Sequence, residues 1–267
     1  MQTAYYIILG FAGLCLGSFF NVLIWRIPRG ESTIWPASHC TNCGNKVKPY
    51  DNIPVLSYLI LGGKCRRCKT QISVVYPLVE ILTAAALVAI WELLYIVPLQ
   101  QPWHQNVVPL LQAVSIMLLI PISVIDIRHY IIPDRFTLPF LAIALAVSFI
   151  PGGLPPVQSL LGALAGGGSL FLMGVIGTFV LKKGDAMGMG DVKLMAWLGA
   201  LWGYKAALIG IAFGALFGSI AGGVMILTRK LNDDHRIPFG PFLGVGTVAA
   251  IFAGEPLLAW YLGLFGG

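Results

Sequence analysis

Charge is what this chain has least of: only 10% of its 267 residues are Asp, Glu, Lys or Arg, and only eleven are acidic. With a mean hydropathy of +0.83, too little polar surface remains to coat a water-soluble globule, so the bilayer is the expected solvent. No Lys or Arg precedes Arg26 and no small-residue cleavage site follows the first apolar run. An ordinary signal peptide is thereby excluded, and the run is kept as a permanent helix. Cysteine is scarce, five in all, and four of the five fall in one polar stretch. The basic residues have no aromatic stacking platform beside them, so the net charge of +6 does not point to a nucleic-acid partner. Glycine, by contrast, is plentiful at 32 residues. In lipid, small residues let helix backbones approach closely, and their abundance fits a packed bundle.

Crossing a hydrocarbon core of ~30 Å takes about 20 helical residues. Apolar stretches suited to this run over 4–25, 77–97, 107–126, 135–150, 157–181, 205–228 and 239–263, with a shorter one at 192–203. Eight basic residues lie from Arg26 to Lys69, two at Arg128 and Arg135, three at Lys182, Lys183 and Lys193, and three at Arg229, Lys230 and Arg236. These connections alternate with ones that carry none, Lys205 being the exception, so the positive-inside rule puts them all in the cytoplasm. Eight crossings with both ends outside follow, and Trp202-Gly203-Tyr204 must then make a tight turn. Were 192–203 not a span, the basic residues after 228 would lie outside, against the rule. The expected fold is an all-α polytopic membrane protein of about eight transmembrane helices. It divides into a first helix at 1–25, a cytoplasmic zinc-binding loop at 26–76 and a polytopic membrane domain at 77–267.

The polar insertion at 26–76 holds Cys40-Thr41-Asn42-Cys43 and Cys65-Arg66-Arg67-Cys68, separated by 21 residues. Two CxxC knuckles read as one tetrahedral zinc site formed by Cys40, Cys43, Cys65 and Cys68. Gly44 after the first pair suits the sharp backbone such a turn adopts. Disulfides are the alternative, disfavoured by the reducing compartment that the charge count assigns to this loop. So small an insertion has too little apolar core to fold unaided, and metal binding would supply much of its folding free energy. His39 is a bystander once four thiolates fill the site, and Cys15 reads as a small buried apolar residue of the first helix.

Ionisable groups near apolar segments are expensive and usually have a purpose. The candidates are Glu80, Glu92, Asp126, Asp134, Asp185 and Asp191. Asp126 ends the third segment and Asp191 opens the sixth within Gly-Met-Gly-Asp, both at the cytoplasmic ends of their helices in this topology. Two carboxylates from distant positions can therefore meet at one membrane level. Such a pair cannot both ionise cheaply, so one keeps a proton while the other deprotonates an attacking water. Gly188 and Gly190 would let the backbone beside Asp191 approach an extended substrate strand. The plainer readings are a helix N-cap for Asp191 and neutralisation of Arg128 for Asp126. Glu80, Asp134 and Asp185 read as partners of neighbouring Lys or Arg, and Asp51-Asn52-Ile53-Pro54 as a loop turn.

Taken in order, GSFFNVLIWRIP at 17–28, PASHCTNCGNKVKPYDNIPVLSYLILGGKCRRC at 36–68, ISVVYPLVE at 72–80, DIRHYIIPD at 126–134, GMGDVKL at 188–194 and IPFGPFLGVG at 237–246 resemble the type IV prepilin peptidases. The resemblance implies Asp126 and Asp191 as the catalytic pair and Cys40, Cys43, Cys65 and Cys68 as structural Zn2+ ligands. It implies a multi-pass protein of the bacterial inner membrane that cuts the basic leader from prepilins and pseudopilins of pilus and type II secretion systems. Cleavage falls after a glycine on the cytoplasmic side. It further implies N-methylation of the new amino terminus with S-adenosylmethionine, associated with the cysteine loop; no glycine-rich dinucleotide fingerprint marks a cofactor site. The substrate's apolar helix would lie among the spans with its charged leader in the cytoplasm. A competing reading is a proton- or cation-coupled transporter with a zinc-stabilised loop, against which stand the placement of both aspartates at one interface and the lack of an internal repeat.

Overall fold

Long apolar runs without amphipathic periodicity give helices that are apolar on every side, as expected where lipid replaces water. The computed structural model describes residues 2–93, 103–181, 187–228 and 237–263, and among these it is helical with no strand. The chain falls into two compact units, Met1–Pro98 and Leu99–Gly267. Asp185, residues 94–97 of the second apolar segment and the basic residues at 182, 183, 229, 230 and 236, for which the sequence carries expectations, lie outside the described residues.

In the first unit α1 spans Gln2–Arg26 and α3 spans Val75–Leu93, with the short α2 at Leu56–Ile60 in the loop between them. α1 packs on α3 through Gly13 and Gly17. A Cβ at Gly13 would lie 2.5 Å from the Ala84 Cα, and one at Gly17 would lie 2.5 Å from the Glu80 Cα. These two positions, four apart on one face, let the backbones touch. Cys15 lies on the other side of α1 and is exposed, which corrects its expected burial: the helix buries the glycine face, and Cys15 is turned away from it.

The second unit contains α4 (Trp103–His129), α5 (Asp134–Val147), α6 (Pro156–Ala163) continued by a π turn (Leu164–Gly168) into α7 (Ser169–Leu181), α8 (Met189–Leu227) and α9 (Gly240–Gly263). All eight apolar segments drawn from the sequence are thus helical where described, apart from the ends at 148–150, 228 and 239. Among the described residues, five helices are long and apolar enough to cross a membrane, namely α1, α3, α4, α6 with α7, and α8 counted as one.

α8 is not straight. Gly203 has φ 86° and ψ 167° inside it, and a Cβ at Gly199 would lie 3.3 Å from the Ala207 Cβ. In a continuous helix eight residues advance about 12 Å, so the chain doubles back at Gly203. The positive φ is one that glycine adopts without a Cβ clash. Trp202-Gly203-Tyr204 is therefore the tight turn that the charge count required. Trp202 Nε1 donates to Ser115 Oγ of α4 at 3.2 Å.

The first arm of this hairpin packs on α6 and the π turn, where Gly162 meets Gly199 and Gly166 meets the Met195 carbonyl. The second arm presents Gly210, Gly214, Gly218 and Gly222 in a four-residue period. Gly210 lies against Thr247 of α9 and Gly214 against Leu243. Around them Ile122, Ile125, Leu194, Met195, Trp197, Leu198 and Leu243 are nearly inaccessible. This packing fixes the end of α4 and the starts of α8 and α9, which carry the site.

Candidate active and metal sites

α4 runs three residues beyond Asp126 and closes where the Tyr130 N–H donates to the Asp126 carbonyl at 2.8 Å. Tyr130 takes a positive φ of 55°, which turns the chain sharply into the corner at 131–133, and Pro133 then opens α5. The corner buries Ile132, 9% exposed, as a wedge between two glycines. A Cβ at Gly190 would lie 2.8 Å from the Ile132 Cβ, and one at Gly240 would lie 3.0 Å from the Ile132 Cδ1.

Asp126 is buried, 5% exposed, and its Oδ2 accepts the backbone N–H of Gly240 at 2.9 Å, across 114 residues. A Cβ at Gly240 would stand 2.8 Å from that same oxygen, so the bond depends on the missing side chain. Asp191 is the third residue of α8, whose cap is Gly188. It lies within electrostatic reach of Asp126, and its Oδ1 is buried with no hydrogen-bond partner among the described residues. The structure therefore brings together the two aspartates expected from sequence. Neither plainer reading describes them: Asp191 is not the helix cap, and Asp126 makes a backbone hydrogen bond rather than an ion pair with Arg128, which is exposed. The glycines also differ from expectation. Gly190 makes room for Ile132, and Gly188 makes room for Asp191 itself, a Cβ there falling 2.9 Å from the Asp191 Oδ2.

Near this pair, Lys193 Nζ contacts both oxygens of Asp134 at 2.8 and 2.9 Å, the ion pair expected of Asp134. It ties the start of α5 to the start of α8 at a partly solvated position. Sequence reasoning gave no role to Ile132 or Gly240, although both stand inside quoted motifs. Their signal was there: an apolar pair before a proline, and a glycine before a helix-starting proline.

In the first unit the four cysteines converge. Their sulfurs all lie within 4.8 Å of one another, and Cys40 Sγ is 3.8 Å from Cys68 Sγ. Tetrahedral zinc with Zn–S of about 2.3 Å sets sulfurs about 3.8 Å apart, so the cluster has the dimensions to hold a metal ion. Each knuckle is the same local device. The Cys40 N–H donates to the Asn45 carbonyl and the Gly44 N–H to the Cys40 carbonyl; the Cys65 N–H donates to the Thr70 carbonyl and the Lys69 N–H to the Cys65 carbonyl. Isolated bridges His39–Lys46 and Lys64–Gln71 close the two turns alike. Gly44 and Lys69 occupy the same left-handed position, with φ 67° and 59°, which glycine takes freely and lysine takes at a cost. Hydrogen bonding from the Thr70 side chain, then from its backbone and from Asn42, holds the Cys68 thiol down at about 5, which favours the thiolate that a metal needs. His39 is not in the cluster; its Nδ1 lies 3.3 Å from the Ala37 carbonyl.

Two acidic residues of the first unit behave differently from expectation. Glu80 takes no Lys or Arg; its Oε2 accepts the Val55 N–H at 2.7 Å, and it hydrogen-bonds Ser18. Val55 sits at φ 59°, unusual for a β-branched residue, and Glu80 holds it there. Asp51 is more than part of a turn. It binds Arg66 of the second knuckle, with Nη2 2.6 Å from Oδ1, and the guanidinium keeps its carboxyl below the usual range. Glu92 accepts the Tyr6 hydroxyl at 2.7 Å.

A helical membrane protein with a buried carboxylate pair and a four-thiolate loop is the class that these sites define. The chain matches the Bacterial Peptidase A24 N-terminal domain over residues 11–93 and the Type IV leader peptidase family over residues 113–227. It is 31% identical to a prepilin leader peptidase/N-methyltransferase of Pseudomonas putida, over all of this chain and 97% of that protein. It is 39% identical to one of Myxococcus xanthus over 80% of this chain and 61% of that protein, and 34% identical to one of Aeromonas salmonicida over 93% and 91%. No solved structure matches. The chain belongs to the type IV leader peptidase family.

Proposed function

We propose that this protein is an intramembrane aspartic endopeptidase that removes the leader of type IV prepilins and pseudopilins after a glycine, and that it methylates the amino terminus so produced. The observation that carries the peptidase reading is the meeting of Asp126 and Asp191, with the Gly240 N–H on one carboxylate and a partnerless buried oxygen on the other. The Gly240 N–H orients the Asp126 carboxylate, and Asp126 is assigned as the base. It takes a proton from water as the water oxygen attacks the scissile carbonyl carbon. Asp191, protonated on Oδ1, gives that proton to the carbonyl oxygen. When the tetrahedral centre collapses, the C–N bond breaks, the proton gained by Asp126 passes to the leaving amine, and a hydroxyl of the centre returns its proton to Asp191 as the C=O reforms. The enzyme is read as a multi-pass protein of the bacterial inner membrane with this chemistry on the cytoplasmic side, following the distribution of its basic residues.

The four cysteines are assigned to zinc on the 3.8 Å sulfur spacing and on thiolate softness. Zinc there is structural: four protein ligands close its coordination shell, and the loop at 26–76 is the region associated with methylation. S-adenosylmethionine, when bound, supplies an electrophilic methyl group to the neutral amine, which loses a proton as the carbon–sulfur bond breaks. The transporter reading is not favoured by the family.

The test is incubation of membranes with a prepilin peptide followed by mass measurement, which reads cleavage and an added methyl together. Asp126→Asn or Asp191→Asn is expected to lower cleavage about 10²- to 10⁴-fold, the usual worth of general acid or base catalysis, with the protein still inserted. Normal cleavage by both variants would remove the catalytic assignment.

A further inference from the structure

α1 has two faces. Gly13, Gly17, Phe20 and Ile24 lie on the side that meets α3, whereas Cys15, Phe19, Val22 and Arg26 form a stripe at helical spacing on the opposite side, with Ser18 on the flank between the two. That second stripe is one wall of an open cavity of about 400 Å³, bounded on its other side by the loop at 33–38 and by Asn52. The volume falls in the range of small-molecule sites, about 300–1,000 Å³, which are typically apolar with a few placed polar groups. Here Phe19, Val22 and Ile34 supply the apolar wall, and Ser38, Thr33 and Asn52 the hydrogen-bonding groups.

Arg26 decides what the cavity can hold. It is 5% exposed and lines the cavity, yet among the described residues no carboxylate pairs with it. Its guanidinium donates to the Ser32 carbonyl at 2.9 Å and to the Pro36 carbonyl at 2.6 Å, which uses two of its five N–H groups. A buried cation satisfied only by neutral carbonyls lacks the counter-charge that burial ordinarily requires. A ligand carboxylate entering the cavity would supply it, with the planar, bidentate geometry that guanidinium favours. The loop that bounds the cavity is also anchored to the same helix by these two bonds, so the two walls are held by one residue.

We propose that this cavity is the S-adenosylmethionine site, with Arg26 receiving the amino-acid carboxylate and the wall of Phe19, Val22 and Ile34 receiving the adenosyl group. The assignment rests on the methyltransferase reading given above. It places the donor against the end of the first helix and the loop that follows it. Neither the cysteine cluster nor the aspartate pair belongs to this site. An anionic lipid headgroup offers Arg26 a similar charge, through a phosphate, and is the alternative source that the experiment must separate.

The test uses the full-length protein in phosphatidylcholine nanodiscs, with S-adenosylhomocysteine binding measured by calorimetry. Wild type is expected to bind. Val22→Trp fills the cavity while keeping Arg26 and is expected to weaken binding at least tenfold; Arg26→Gln should do the same, and Arg26→Lys should recover part of the loss. Metal content on the four thiolates reports whether the loop is still folded in each variant. Irradiation with labelled S-adenosylmethionine should mark a peptide within residues 15–38. Unchanged affinity in Val22→Trp and Arg26→Gln, from a wild type that binds and methylates, would overturn the site alone. A wild type that cleaves but neither binds nor methylates would remove the methylation reading, and the site with it. Phosphatidylglycerol retained by wild type and lost from Val22→Trp, with nucleoside affinity unchanged, would assign the cavity to lipid and overturn the proposal.

Discussion

The thiolate cluster and the carboxylate pair are built on opposite plans. Each cysteine knuckle is complete within six residues, closed by its own backbone hydrogen bonds, and the same turn is used twice. The aspartate pair has no such local frame. It is assembled from the end of α4, the Ile132 corner, the start of α8 and the start of α9, and its one backbone hydrogen bond spans 114 residues. A site of the first kind fails when a ligand is lost. One of the second kind fails when a backbone can no longer come close, so its sensitive positions include residues with no functional group.

The largest expected effect that breaks this comparison comes from such a residue. Gly240→Ala puts a methyl against the Asp126 Oδ2 and Ile132 Cδ1, and cleavage should fall roughly tenfold to a hundredfold, the scale of a small misplacement of reacting groups. Alanine is the better helix former, so a loss of activity without loss of thermal stability would point to the displaced carboxylate. Cleavage at the normal rate would mean that the Gly240 N–H does not support Asp126. Next in size, Cys43→Ser or Cys65→Ser should empty the metal site and loosen the loop, lowering methylation several-fold while cleavage falls less. Metal analysis of purified protein checks the first part, and equal zinc in variant and wild type would exclude those sulfurs as ligands. The smallest effect sharpens the likeness of the two knuckles: Lys69→Gly should relieve a left-handed lysine worth about 1 kcal/mol and slow metal release to a chelator, whereas Gly44→Ala should hasten it.

The same contrast explains what could be read from the chain. The cysteine cluster was legible because its spacing is its geometry, and the helices were legible because lipid demands long apolar runs. The turn at Gly203 followed from the placement of basic residues. The meeting of Asp126 and Asp191 was legible through their shared level in the topology and through the family resemblance of the motifs that hold them. What supports them was not: nothing in Gly-Met-Gly-Asp says that Gly190 yields space to Ile132, because that residue arrives from a corner almost sixty positions earlier. Glu80 was misread for a related reason. A carboxylate near basic loops suggests an ion pair, but the strained backbone of Val55, invisible in sequence, takes it instead.

The reversal at Gly203 leaves α8 with unequal limbs. Residues 189–202 rise only about 21 Å, against about 36 Å for residues 204–227. In a hydrocarbon layer of about 30 Å, a limb that short stops beneath the headgroups when its turn sits at the far surface. Asp191 is then sunk in a dip, and under the proposed hydrolysis both the water and the scissile peptide would have to descend to reach it.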